Sequence, residues 1–300
     1  MKEYVVFNDK KYYFISDYKD NGMFRESFNL LTEQVYGFNF KDWYEAGYWQ
    51  ERYIPYSLAD GGKIVANVSV NVIDFIVLGE KKTYVQIGTV MTDTEYRGFG
   101  LSRFLMEKVL EEWESKVELI YLFANDSVLD FYPRFGFEMC QEYQYSAHIS
   151  KKDCASKIRR LNMKNVQDQA FVYEMVQQTV PFSKISMRDN AELIMFYCTS
   201  FMAEQIYYIE DEDVVVIYEL EQDTLFLYDV FSQKTVELEY IIQAIASDQT
   251  KKVVFGFTPI DSSNYEKNVL KEEDTTLFIK GGKKSPFELE DLMFPVLSHA

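Results

Sequence analysis

A β-strand that leads through a glycine-containing turn directly into a helix is the feature that most restricts the fold of this chain. Residues 83–92 (TYVQIGTVMT) have the β-branched and apolar character of a strand, and residues 101–115 place apolar side chains on one helical face. Between them lies RGFGLS, from Arg97 to Ser102. Such a junction directs several backbone N–H groups and the positive end of a helix dipole at one point, which suits a phosphate or pyrophosphate.

The two glycines of this turn have two possible roles. Gly98 and Gly100 would let the backbone approach a ligand closely, and Arg97 and Arg103 could add charge-assisted hydrogen bonds. The same residues would equally serve an ordinary strand-to-helix turn, in which glycine only permits the backbone geometry. The spacing is neither the GxGxxG of a dinucleotide fold nor the GK[ST] of a P-loop. Residues further along the chain favour the first interpretation.

Composition and charge narrow the class of protein. The 300 residues are enough for two domains or one large one, and 47% hydrophobic with 26% charged residues is ordinary for a folded protein. The formal charge of −17 disfavours nucleic acid as a partner and is compatible with a cationic small substrate. No apolar run reaches the length of a membrane span and no signal peptide is evident, so we expect a cytoplasmic protein without a membrane partner. Three cysteines and two histidines are too few and too scattered for a zinc site, so no metal is expected.

The order of predicted elements suggests a diverged tandem duplication. A helix, a β-hairpin, a helix and two strands follow one another in the first half, and the same order recurs more weakly in the second. We therefore predict an α/β (α+β) protein of two domains, each a mixed central sheet flanked by helices. The predicted boundaries are residues 1–150, a polar linker at 151–157, and residues 158–300.

A second motif follows the glycine turn, one predicted helix and one predicted strand later. Asn125 ends the next predicted strand, and Tyr132 begins YPRFGF, which ends at Phe137 and is predicted to begin on a short helix around 127–135. With RGFGLS, these residues resemble the GCN5-related N-acetyltransferase (GNAT) family. The family's coenzyme loop is [Q/R]-x-x-G-x-[G/A], followed by an Asn one strand later and then by Y-x-x-x-G-F. The resemblance covers about residues 20–146 and departs from the family pattern at Ser102, where Gly or Ala is usual.

This resemblance implies a coenzyme and a role for each motif residue. Acetyl-CoA would lie between two parallel strands, 84–91 and 119–125, with Asn125 bonded to the pantetheine arm and Tyr132 protonating the departing thiolate. A phenol near pKa 10 can donate a proton and be restored at neutral pH. The main chain near Met91 would polarise the thioester carbonyl. The implied coenzyme-binding residues are Val90, Met91, Thr92, Arg97, Gly98, Phe99, Gly100, Leu101, Ser102, Arg103 and Asn125.

The acceptor site and the general base are less well defined by the sequence. In such folds the first helices and a polar strand face line the acceptor pocket, which nominates Phe38, Trp43, Asn67, Ser69 and Asn71. Aromatic faces suit a cationic amine, although aromatic residues at these positions equally fit a hydrophobic core.

No Asp or Glu lies on the strand at 83–89, and Asp93 and Glu95 beyond it are expected to be surface charges. Tandem acetyltransferases of the enhanced-intracellular-survival type, which this architecture resembles, place their C-terminal carboxylate in the active site. That similarity nominates Ala300 or His299, with simple packing of the apolar terminus as the alternative.

The expected function is transfer of acetyl from acetyl-CoA to a primary amine of a small molecule or peptide by direct attack. A catalytically inactive acyl-CoA sensor or interaction module with the same fold is the alternative. The second half lacks a coenzyme loop, because the corresponding residues 232–235 (SQKT) contain no Gly or Arg. We therefore expect residues 158–300 to keep the fold, to complete the acceptor pocket and not to bind the coenzyme.

Overall fold

Two β-sheets with helices packed against them make up the structure, a computed structural model that describes residues 2–151, 156–281 and 286–299. The strands are β1 (Lys2–Phe7), β2 (Lys10–Ser16), β3 (Tyr53–Asp60), β4 (Lys63–Val77), β5 (Glu80–Thr92), β6 (Leu119–Ala124), β7 (Glu138–Met139), β8 (Tyr143–His148), β9 (Ile158–Arg160), β10 (Ile185–Arg188), β11 (Ile206–Ile209), β12 (Val214–Glu221), β13 (Thr224–Phe231), β14 (Lys252–Phe255), β15 (Glu266–Val269) and β16 (Thr276–Lys280). The helices are α1 (Gly22–Tyr36), α2 (Lys41–Glu45), α3 (Leu101–Trp113), α4 (Val166–Gln177), α5 (Ala191–Thr199), α6 (Leu238–Ile245) and α7 (Pro286–Glu290). None of the helices in these ranges is long and apolar enough to cross a membrane.

The first sheet separates two hydrophobic cores. Its strands lie in the order β1-β2-β3-β4-β5-β6-β16-β7, and β10 pairs with the end of β4. All neighbours are antiparallel except β5 and β6, which are parallel. Helix α3 packs on one face through Leu101, Leu105 and Val109, whereas α1 and α2 pack on the other face together with α5. The alternating burial of these helices and strands is what the apolar periodicity of the sequence predicts.

The second sheet has the order β15-β8-β14-β13-β12-β11-β9. The hairpin β12–β13 has the predicted bounds of its two strands, and β14 adds to it in parallel. Both sheets are therefore mixed and flanked by helices, which confirms the predicted fold class.

Each sheet contains a strand from the other half of the chain. The segment β16 lies between β6 and β7 in the first sheet, and β8 lies between β14 and β15 in the second. Among the described strands, β7 pairs only with β16, so in this part of the chain the first sheet extends beyond β6 through the inserted β16. The two sheets thus do not divide at the predicted linker, of which residues 152–155 lie outside the described residues. The boundaries 1–150 and 158–300 stay a prediction about the halves of the sequence.

The segment that precedes the GF dipeptide is not the short α-helix expected from the sequence. It consists of two 3₁₀ turns, Asp126–Val128 and Tyr132–Phe135. Pro133 follows Tyr132 at the start of the second turn, and Gly136 ends it at φ +81°. A proline at the start and a left-handed glycine at the end suit one short turn and leave no room for a longer helix.

The C-terminal segment is packed between the halves rather than frayed. The Phe294 ring stacks on Tyr121 of β6 with centroids 3.9 Å apart, and the Tyr121 hydroxyl donates to the Ser298 carbonyl at 3.0 Å. The Phe294 N–H donates to Oε1 of Glu142 at 2.7 Å in the buried interior. This carboxyl, placed just before β8, therefore anchors the terminus.

Substitution of Glu142 by Gln should stabilise the protein increasingly as pH rises. Burial raises the pKa of Glu142 to about 8, although the bond from Phe294 acts against the shift. The native state therefore keeps a proton that the unfolded chain loses above about pH 4.5, so native stability falls as pH rises toward 8. Glu142→Gln keeps an acceptor for the Phe294 N–H without this dependence. We expect equal melting temperatures near pH 5 and, near pH 8, a variant more stable by on the order of 2 kcal/mol.

Thermal melts of both proteins between pH 5 and pH 8.5 test this expectation. Glu138→Gln, an exposed position on β7, is the matched control and should leave the melting temperature unchanged. A Glu142→Gln variant that is less stable at every pH would show that the ionised carboxylate stabilises the terminus.

Candidate active site

The parallel strands β5 and β6 separate at one end of their pairing. They are paired only over Tyr84–Gln86 and Leu119–Tyr121, and β5 then continues to Thr92 while β6 ends at Ala124. A cleft of about 1260 Å³ opens at this separation. The predicted pair of parallel strands is therefore present, and the space between their ends is open to a ligand.

A bulge in β5 shapes the floor of the cleft. Between the pairs Asn67–Met91 and Ser69–Gly88, two residues of β5 oppose one residue of β4. Thr89 in this bulge has φ +49°, a rare conformation for a β-branched residue. The Asn67 carboxamide donates to the Thr89 carbonyl at 2.9 Å, and the Tyr53 hydroxyl is bonded to Thr89 Oγ1 at 2.7 Å. These two bonds hold the strained residue in place and direct the backbone of residues 89–92 toward the cleft.

The glycine turn has the conformation that its sequence requires. Gly98 and Gly100 both have φ +81°, and a Cβ at either position would meet nothing within 4 Å, so backbone conformation rather than space demands glycine there. Gly100 is the N-cap of α3 and provides no side-chain cap, so the first N–H groups of the helix remain for a ligand. The turn and the first turn of α3 line the cleft.

The charged side chains around this turn make it a positively charged rim. Arg97, Arg103 and Arg134 line the cleft here. Nε of Arg97 donates to the Thr92 carbonyl at 3.3 Å, and Arg103 pairs with Glu107 one helical turn away. Ser102 is bonded to Thr92 through their hydroxyls, so the departure from the family pattern joins the strand end to the helix start. Phe99 is 40% exposed and is absent from the cleft lining, unlike the other residues of the predicted coenzyme set.

Asn125 lines the cleft where predicted, but a residue from the second half of the chain holds it. Its Nδ2 donates to Oδ2 of Asp274 at 3.0 Å, and the next backbone N–H, of Asp126, donates to Oδ1 at 2.7 Å. Asp274 precedes β16, the inserted strand, and sequence reasoning missed it because nothing in the sequence shows that β16 pairs with β6.

Tyr132 lies in the cleft opposite Tyr36. Its ring packs on Phe278 of β16, and the side chain is 5% exposed. Burial, and after it the neighbouring Tyr36 hydroxyl, raise the pKa of Tyr132 well above its ordinary value. The phenol is therefore protonated at neutral pH. Tyr36, which the sequence did not single out, donates its own hydroxyl to the Val90 carbonyl at 2.8 Å.

The polar face of β4 does not line the cleft as expected. Asn67 and Ser69 are fully buried and bonded to each other at 2.8 Å. Asn71 lies instead in a separate cavity of about 270 Å³ that Trp43 and Tyr53 divide from the cleft. The reason is that side-chain bonds within the protein already use these groups: Asn67 also accepts from the Ser57 hydroxyl at 2.7 Å and donates to the Thr89 carbonyl. Phe38 and Trp43 do line the cleft.

Helix α5 and the C-terminal segment complete the far end of the cleft. Leu193, Phe196 and Tyr197 of α5, Phe201 after it, and His299 line this end. The His299 ring stacks on Phe123 of β6 at 3.8 Å, and its buried Nε2 has no hydrogen-bond partner among the residues that the structure describes. The second half of the chain therefore contributes directly to the cleft. Ala300, nominated as a base, lies outside the described residues.

The acidic residues after β5 are not placed for proton transfer in the cleft. Asp93 is buried, not exposed as expected, and pairs with Lys63 at 2.6 Å. Burial would raise its pKa, but the bonds from Lys63 and from the Glu95 N–H outweigh that effect and hold it below the ordinary value. Neither Asp93 nor Glu95 is among the residues that line the cleft. In the described part of the chain, no group of three or more His, Cys, Asp and Glu side chains could hold a metal ion.

A mixed sheet with a separated parallel pair, a bulge beside the gap and a left-handed glycine turn at a helix start defines an N-acyltransferase fold. Residues 21–140 match the family model described as an acetyltransferase (GNAT) domain. The overall fold is similar to that of a probable N-acyltransferase of unknown function from Enterococcus faecalis V583, with a TM-score of 0.58 at 14% identity over 90% of this chain and 72% of that one.

Two further solved structures share the fold. A GCN5-related N-acetyltransferase from Kribbella flavida has a TM-score of 0.56 at 17% identity over 89% of this chain and 70% of that one. Eis1 from Mycobacterium abscessus has a TM-score of 0.52 at 13% identity over 84% of this chain and 69% of that one. All three similarities extend over both halves of the chain, in line with a two-domain arrangement.

Proposed function

We propose that this protein transfers acetyl from acetyl-CoA to a primary amine of a small molecule or peptide. One observation carries the proposal: the glycine turn, the β5 bulge, Asn125 and Tyr132 all line the same cleft. Each of these features has a separate task in acetyl transfer, and an arrangement kept only for folding would not need them on one surface. Acetyl-CoA is a co-substrate in this proposal, and the protein acts in the cytoplasm.

In the proposed complex the coenzyme lies across the gap between β5 and β6. The N–H groups at the start of α3 and the arginines of the rim would bind its pyrophosphate. The backbone of Val90, Met91 and Thr92 would contact the pantetheine arm and the thioester. The nitrogen of the Asn125 side chain is committed to Asp274, so its oxygen would accept a hydrogen bond from the arm.

The reaction would proceed by direct attack. The neutral amine nitrogen forms a bond to the thioester carbonyl carbon, and the C–S bond breaks as the tetrahedral intermediate collapses. Tyr132 gives its proton to the departing thiolate, the nitrogen releases one proton to solvent, and Tyr132 is reprotonated from solvent. The products are the acetamide and CoA. The main chain at the bulge would stabilise the negative charge that develops on the carbonyl oxygen.

Residues 158–300 would support this site without binding coenzyme themselves. The segment between β13 and α6 has no glycine, and α6 begins after Glu237, whose negative charge would disfavour a phosphate at that helix start. The contribution of this half is instead α5 and His299, which line the cleft, and Asp274, which holds Asn125.

Calorimetric titration of acetyl-CoA into the full chain tests the proposal, and we expect one site per chain. Arg97→Ala should weaken binding, whereas Arg160→Ala, an exposed arginine on β9 in the second sheet, should not. Two sites would contradict a coenzyme-free second half, and no binding would contradict the use of acetyl-CoA.

Thiol release measured with acetyl-CoA and a set of primary amines then separates an enzyme from a sensor. Amine-dependent release supports the enzyme. Tight binding of acetyl-CoA with no turnover on any amine would favour the acyl-CoA sensor instead.

A further inference from the structure

The two ends of the cleft differ sharply in charge. The end at the glycine turn carries Arg97, Arg103 and Arg134, with Glu107 paired to Arg103. Beyond the β5 bulge, the described residues that line the cleft include no Asp, Glu, Lys or Arg, and rings and aliphatic chains predominate there. They are Phe38, Phe40, Trp43, Leu193, Phe196 and Phe201. Glu107 is the one acidic side chain among the described residues that line the cleft.

The polar groups at this far end are neutral, and most are already bonded. The Tyr36 hydroxyl donates to the Val90 carbonyl, and the Tyr53 hydroxyl is bonded to Thr89. His299 differs, because its buried Nε2 has no hydrogen-bond partner among the described residues. Burial lowers the pKa of His299 to about 4, although a hydrogen bond to the Phe294 backbone acts against this. The imidazole is therefore uncharged at pH 7 and places no charge at this end.

The aromatic rings are not arranged as a cage for a cation. A cation binds over the face of a ring, where the quadrupole is negative, whereas the ring edge is positive. Phe40 stacks on Phe196 with centroids 5.2 Å apart and on Phe28 at 5.5 Å, and Trp43 stacks on Trp49 at 5.9 Å. Stacking therefore occupies faces of Phe40, Phe196 and Trp43, and a second ammonium group on the acceptor would find no carboxylate among the described residues that line this end. Burying such a charge without a partner is costly.

We propose that the acceptor is a primary amine on an apolar, aromatic body without a second charge, bound beyond the bulge. This inference rests on the proposed function, because an acetyl group is too small to fill the far end and leaves it to the acceptor. The rings would bury the body of the acceptor, and its nitrogen would lie toward the gap between β5 and β6, where the thioester is proposed to bind. Polyamines and other polycations would be poor acceptors.

Thiol release with acetyl-CoA at matched pH tests the proposal with 2-phenylethylamine and spermidine as probes. We expect kcat/KM to favour 2-phenylethylamine by on the order of 100-fold. A preference for spermidine would overturn the inference while leaving acetyl transfer intact. A preference for octanoyl-CoA over acetyl-CoA as donor would also overturn it, because the acyl chain would then occupy the far end.

A matched pair of variants at Phe201 tests the effect of a negative charge at this end of the cleft. Phe201 lines the cleft and is 55% exposed, so Phe201→Asp and its isosteric control Phe201→Asn should both fold. The ratio of kcat/KM for spermidine to kcat/KM for 2-phenylethylamine should be about tenfold higher for Phe201→Asp than for Phe201→Asn. Acetyl-CoA affinity, measured by calorimetry, reports whether each variant is intact.

If no amine is turned over, calorimetric titration of each amine into protein saturated with CoA tests the inference instead. In that case 2-phenylethylamine should bind and spermidine should not. Failure of the aromatic amine to bind to this complex would overturn the inference, whereas failure of acetyl-CoA itself to bind would refute the proposed function.

Discussion

Tyr132→Phe should lower kcat by about 10²- to 10⁴-fold while leaving the acetyl-CoA dissociation constant nearly unchanged. The substitution removes one hydroxyl and keeps the ring against Phe278 and Phe137, so packing is preserved. Without the phenol, the thiolate must leave without a proton from the protein. Because burial keeps the phenol protonated, the wild-type rate should not fall through ionisation of Tyr132 at mildly alkaline pH.

Thiol-release kinetics and calorimetry together measure these two quantities. Tyr228→Phe, which removes the same atom from a tyrosine of the second sheet, is the control and should retain full activity. If Tyr132→Phe weakened acetyl-CoA binding and left kcat unchanged, Tyr132 would be a binding residue and the thiolate would obtain its proton elsewhere.

Gly100→Glu should weaken acetyl-CoA binding by at least about 100-fold. Two effects act in the same direction. A side chain at φ +81° costs about 1–2 kcal/mol in backbone strain, and the new carboxylate would lie where the coenzyme phosphates approach the start of α3. Calorimetry measures the affinity, and a circular-dichroism melt shows whether the fold is retained.

Gly79→Glu separates the backbone cost from the loss of the anion site. Gly79 has φ +86° in the turn between β4 and β5, and a Cβ there would also meet nothing within 4 Å. It lies before the start of β5, whereas the cleft lies at the end of that strand. The control should therefore lose stability as Gly100→Glu does but bind acetyl-CoA normally. Equal affinities for the two variants would place the coenzyme phosphates away from the α3 turn.

The elements with a strong local pattern could be predicted from the sequence. The strand before the glycine turn, the helix after it and the β12–β13 hairpin are specified by apolar periodicity and by short turns. The positions of β8 and β16 could not be predicted, because pairing between distant strands leaves no local signal. The short strands β9, β10, β11 and β15 were missed for a related reason, since three or four residues are too few to show a period.

The candidate site also contains residues that the sequence could locate and residues that it could not. The glycine turn, Asn125 and Tyr132 are contiguous motifs and could be located in advance. Tyr36, Tyr53 and the rings of α5 reach the cleft only through tertiary packing, so no motif marks them. The alternation of polar residues on β4 correctly indicated a strand, but it could not show that Asn67 and Ser69 bond to each other and to Ser57 and Thr89 inside the protein.

Because β16 belongs to the second half of the chain, the first sheet cannot be completed before that half has been synthesised. Roughly 150 residues separate β6 from the strand that pairs with its free edge. A ribosome adding ~5–20 residues per second leaves that edge open for on the order of ten seconds, during which an unpaired apolar strand can recruit other chains. This edge of the nascent first half therefore stays exposed, unless another protein covers it, until the second half has been synthesised. The first sheet is therefore complete only when both halves of the chain are present.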